Sequence, residues 1–114
     1  MSDDPATLLG DTEAALVEAD RKLNSAAGLL LIQAAPPADR ARAGQAMVDT
    51  GLAIQALRRA QLDAIAGQLA ADAAALRLAI GDLNKALASF KAVKPVLDGV
   101  AKLLGVVARI VTLV

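Results

Sequence analysis

The chemistry open to this chain is narrow, because cysteine and histidine are both absent. No thiolate nucleophile, imidazole base, disulfide or ordinary zinc site can be built. What remains are carboxylates, lysines, arginines and the hydroxyls of Ser and Thr. None falls in a GxSxG, P-loop, GxGxxG or Glu-x-x-His pattern. The sequence therefore predicts no catalytic, cofactor-binding or metal-binding residue, no cofactor, and a protein that is not an enzyme.

The polar residues with the most telling spacing lie near the C-terminus. Asp98, Lys102, Gly105, Arg109 and Thr112 recur at alternating intervals of four and three. At 100° per residue they fall on one narrow stripe, with Val, Leu, Ile and Ala over nearly all the rest of the segment. One reading is a bundle helix with a single wet stripe. Another is a membrane or pore-lining helix, since 19 residues at about 1.5 Å each span roughly the hydrocarbon thickness of a bilayer. Asp98 and Lys102 are spaced to pair.

Charge is also ordered along the chain. Asp3, Asp4, Asp11, Glu13, Glu18 and Asp20 precede the first base, whereas Lys85, Lys91, Lys94, Lys102 and Arg109 crowd the end against Asp98. This pattern suits solvated faces that complement helix dipoles, or head-to-tail attraction between subunits. Over the whole chain, 12 basic and 12 acidic residues cancel. Phe90 is the sole aromatic, so neither phosphate neutralisation nor base stacking is supported, and nucleic acid is not an expected partner.

The elements that position these residues read as helices throughout. Of the 114 residues, 56% are hydrophobic and 1% aromatic, dominated by Ala and Leu. Those are the strongest helix formers, which predicts an all-α chain in one domain, 1–114. Asp3 or Asp4 can cap a first helix that opens at Pro5. Leu9, Leu16, Leu23 and Leu30 recur by sevens within it, and Pro36-Pro37 ends it, giving a helix over 5–34. A short connection then predicts an antiparallel hairpin.

The second helix is expected to run over 37–94, because its heptad keeps phase across Gly67 and Gly81. Its assembly seam is Leu62, Ile65, Leu69, Leu76, Ile80, Leu83, Leu87, Phe90, Val93 and Leu97. Asp72 is the one charge in that seam and could specify register. Such a helix would be roughly 85 Å long. Upstream of Leu62 the register is poorer, so a stutter near Gln61 is expected, or a break producing a four-helix up-and-down bundle. Pro95 kinks or ends the helix, and an apolar helix over 96–114 follows, folded back or kinked. A second apolar run, Ala26 to Ala35, reads as a buried helix end or as a contact patch for a partner or a lipid surface.

A mean hydropathy of +0.50 is high for a small chain that stands alone. The expected function is thus a helical self-assembly or adaptor subunit, a homo-oligomer or partner of another helical protein, with the C-terminal helix mediating oligomerisation. The alternatives are a membrane-active or pore-lining protein and a small secreted effector component. The acidic start, with no apolar run after it, predicts a cytoplasmic origin without a signal peptide, with signal-independent export or membrane association as alternatives. In size and hairpin layout the chain resembles the small helical substrates of specialised bacterial secretion systems, although it has no Trp for the Trp-x-Gly turn of one such family. Its apolar C-terminal helix resembles fragments of α-helical pore-forming proteins. Both resemblances are architectural, and no residue role follows from either.

Overall fold

A computed structural model describes residues 4–111. These form six helices: α1 (Pro5–Leu23), α2 (Ala26–Ala34), α3 (Pro37–Arg59), α4 (Leu62–Ala71), α5 (Ala73–Ala88) and α6 (Val93–Val107). The first starts as its sequence predicts. Asp4 caps it by accepting a hydrogen bond from the Thr7 amide at 3.2 Å, and Pro5 takes the first helical position. Pro37 likewise opens α3.

The expected helix over 5–34 is divided. Asn24 and Ser25 stop α1 and restart the chain as α2. The Asn24 side-chain amide donates to the Asp20 carbonyl at 2.8 Å, and Ser25 Oγ accepts from the Gly28 amide at 3.1 Å. These short polar side chains satisfy the helix-end groups that an unbroken helix would have satisfied internally. Gly28 is required at this corner. A Cβ there would lie 2.1 Å from the Lys22 carbonyl oxygen and 2.9 Å from that of Leu23.

The continuous helix over 37–94, and with it the elongated hairpin, is overturned. The chain breaks at Ala60–Gln61, bends at Asp72 by 82° between α4 and α5, and leaves the helix again over 89–92. The principal extents are 43 × 30 × 19 Å, too short for an 85 Å rod. The radius of gyration, 13.9 Å, matches the roughly 13 Å of a compact domain of this size. No proline or glycine causes the first two breaks. Each bend instead lets an apolar face meet the rest of the chain; each buried Leu is worth roughly 1.5–3 kcal/mol, so several together outweigh the few hydrogen bonds, about 0.5–1.5 kcal/mol net each, that a helix end gives to water. Pro95 does not end the long helix. It sits in the first turn of α6, where its missing N–H costs nothing.

The helices α1 and α6 each pack on both α3 and α5, with the closest association between α5 and α6. The core runs through Leu8, Leu16 and Leu23 of α1, Leu57 of α3, Leu76 and Leu83 of α5, and Val96, Val100, Leu103 and Val107 of α6, all at most 2% exposed. Small residues let the backbones approach closely. Gly99 of α6 faces α5 so tightly that a Cβ on it would lie 3.2 Å from the Leu83 Cα.

Candidate interaction surface

The expected assembly seam is a core. Leu69, Leu76, Ile80, Leu83, Leu87, Val93 and Leu97 are buried within the chain, and Leu62, Ile65 and Phe90 are half-buried against them. The heptad spacing correctly marks the residues that pack. Their partners are α1 and α6 of the same chain, made available by the breaks that fold α5 and α6 back.

The apolar arc of α6 is covered in the same way. Val93, Val96, Leu97, Gly99, Val100, Leu103, Val106 and Val107 all face inward. Its polar stripe lies outside and ties α6 to its neighbours. Asp98 accepts from Arg42 of α3 at 2.7 Å and meets Lys94 at 3.6 Å. Lys102 reaches Asp82 of α5 at 2.6 Å, and Arg109 reaches Asp72 at 3.1 Å. The expected Asp98–Lys102 pair is therefore replaced by contacts to α3 and α5. Thr112 lies outside the described residues. The Arg42 hydrogen bond, and then Lys94, hold the Asp98 carboxyl below its ordinary range. Lys102 does the same for Asp82. For Asp72 the larger cause is the Gln68 side-chain amide, followed by Arg109. Asp72 thus binds a base just beyond the end of α6.

The charge order along the chain is partly consumed internally. Asp11 pairs with Arg77 of α5 at 2.6 Å, Glu13 with Arg58 of α3, and Glu18 with Arg21 one turn on. An open cleft of about 460 Å³ between α5 and α6 is lined by Asp82, Lys85, Ser89, Asp98 and Lys102, whose charges largely neutralise one another. Among the described residues no group of three acidic side chains is placed to hold a metal ion. Among the described residues no single helix is long and apolar enough to cross a membrane, although the bent pair α4–α5 passes by length and composition.

The surface that stands apart is α2, AAGLLLIQA. A helix this apolar on all sides is ordinarily interior, yet in α2 only Gly28 is buried. Leu30 is 66% exposed and Leu29 44%. Leu31 and Ile32 are half-buried. From Ala26 to Ala35 there is no ionisable residue, and Gln33 is the one polar side chain. Of the two readings of this run, the buried helix end is overturned. The first-helix heptad explains why: Leu16 and Leu23 are buried, but the break after Leu23 rotates Leu30 out of phase into solvent. Elsewhere Val48 and Leu52, one turn apart on α3, and Leu78 on α5 are exposed.

No family model matches this sequence, and neither the curated proteins nor the solved structures show a significant similarity to it.

Proposed function

We propose that this protein is a non-enzymatic helical binding module whose docking element is α2. One observation carries the reading: a charge-free, apolar nine-residue helix is held on the outside of the chain, with Leu29 and Leu30 exposed together. Exposing Leu29 and Leu30 in water forgoes the stabilisation that burial provides, and exposed apolar clusters of this kind mark contact sites. The corner that displays α2 is specifically built, by the Ser25 cap and by Gly28 against the end of α1. Docking through α2 replaces oligomerisation through α6, whose apolar arc serves the core. At 15 residues, or about 22 Å, α6 is also shorter than a bilayer's hydrocarbon thickness. A second reading, association of two copies, draws on Val48 and Leu52, which project together from α3.

A photo-crosslinking side chain at position 30, in cells that make the protein, tests the reading. Discrete protein or lipid adducts are expected from position 30 and not from position 10, an exposed site elsewhere on α1. Equal labelling at both positions, or none at 30, overturns it.

A further inference from the structure

We infer that what α2 docks on is an anionic lipid surface, a conclusion that rests on α2 being the docking element. Charge around the helix supports this. Of the 12 cations, seven have an ion-pair partner, while Lys22, Arg40, Arg59, Lys85 and Lys91 have none among the described residues. Arg59 ends α3 and Lys85 lies on α5; the other three lie about α2. Lys22 is in the last turn of α1, just before it. Arg40, just past the start of α3, reaches back to the Gln33 carbonyl at 3.4 Å. Lys91 and Lys94 line a cleft of about 240 Å³ with Leu31 and Ala34 of α2; the acid there is Asp39. An apolar helix with cations on the neighbouring elements offers an anionic bilayer two attractions, apolar residues inserted about 5–10 Å deep and cations among lipid phosphates and carboxylates.

Area separates this occupant from a second copy of the chain. A helix of nine residues is about 13 Å long and roughly 10 Å wide, a small fraction of the roughly 800 Å² per partner that stable protein interfaces bury. Like-charged rims would also face each other in a symmetric pair. A membrane imposes no such minimum, because cation attraction adds to shallow apolar insertion, and the two signals together hold a peripheral protein reversibly.

The test is co-sedimentation of the full chain with vesicles of phosphatidylcholine alone and of phosphatidylcholine and phosphatidylserine in equal parts. Binding is expected to the second and not the first, with release by added salt. Lys91→Gln and Arg40→Gln should each weaken binding about fivefold, the factor equivalent to about 1 kcal/mol per cation at an anionic surface. Leu30→Glu should abolish it with the helical circular dichroism unchanged, while Leu78→Glu, equally exposed on α5, should have no effect. If Leu30→Glu loses helicity, Leu30→Ser takes its place. Equal binding to both vesicles, no binding, or vesicle binding by Leu30→Glu equal to that of the unmodified chain overturns the lipid assignment. Protein adducts from position 30 without vesicle binding would overturn it too while leaving α2 as the docking element; loss of both adducts and vesicle binding removes both.

Discussion

Arg109, just beyond α6, donates to the Asp72 carboxylate at 3.1 Å across 37 positions of sequence. Asp72 is the residue at which α4 bends into α5, and its carboxylate also accepts from Gln68 at 2.6 Å. One side chain thereby joins the bend to the end of the helix that covers it. The Lys102–Asp82 and Arg42–Asp98 pairs repeat the arrangement along α6.

These three carboxylates make stability sensitive to acid. Asp72, Asp82 and Asp98 are all held below their ordinary range in the folded chain. A depressed folded value means that the unfolded chain takes up protons first as pH falls. The contribution is complete above the unfolded carboxyl value of about 3.9 and is lost as pH drops through the lower folded values. Thermal midpoints should therefore decline below about pH 4. In the triple Asp→Asn variant at positions 72, 82 and 98, that part of the decline should disappear, with a lower midpoint at neutral pH.

Replacing Leu76 and Leu83 by Glu should unfold the chain. Both are fully buried within the chain, so each new carboxylate would lie unpaired in an apolar interior. Leu83→Ala alone should cost about 2–5 kcal/mol by denaturant titration. If the double variant remained a folded monomer while a larger species dissociated, Leu76 and Leu83 would have to face another chain. Val107→Asp, on the inward face of α6, should likewise unfold the protein in the absence of lipid.

Glycine substitutions should divide by place. Gly28→Ala drives a Cβ into backbone carbonyls of α1, and overpacking of that kind costs about 1–3 kcal/mol. It should also disturb α2 and, with it, any binding through Leu30. Gly67→Ala and Gly81→Ala project into open space on helices and should each stabilise by about 0.5–1 kcal/mol. Thermal denaturation of the three variants distinguishes these signs.

Thr50 is fully buried on α3, and its Oγ1 has no hydrogen-bond partner among the described residues. A buried unsatisfied hydroxyl costs about 1–3 kcal/mol. Thr50→Val keeps the shape and removes the orphan, so the midpoint of unfolding should rise. A fall would mean that the hydroxyl bonds to the carbonyl one turn back, as Thr12 does to Leu8 at 2.7 Å.

The sequence by itself determined the helical class, the starts of α1 and α3, and most of the heptad residues of α4 and α5 that bury. Alanine and leucine propensity, Pro5 and Pro37 at first helical positions, and the sevenfold recurrence of Leu62 through Leu83 are local properties, and the structure retains them. The polar stripe of α6 was legible for the same reason, since 3.6 residues per turn places Asp98, Lys102 and Arg109 on one side. Only the tertiary structure decided what covers those faces. A heptad stripe is satisfied equally by another chain or by its own chain folded back, and Ala60–Gln61 and Asp72 carry no proline or glycine to announce a reversal. The polar pair Asn24-Ser25 was the legible signal for the first break, because such residues cap helices. That break determined the exposure of α2. Residues 26–34 continue the apolar pattern of α1 in sequence, but the corner at Gly28 turns them out of phase with the core they would otherwise have joined.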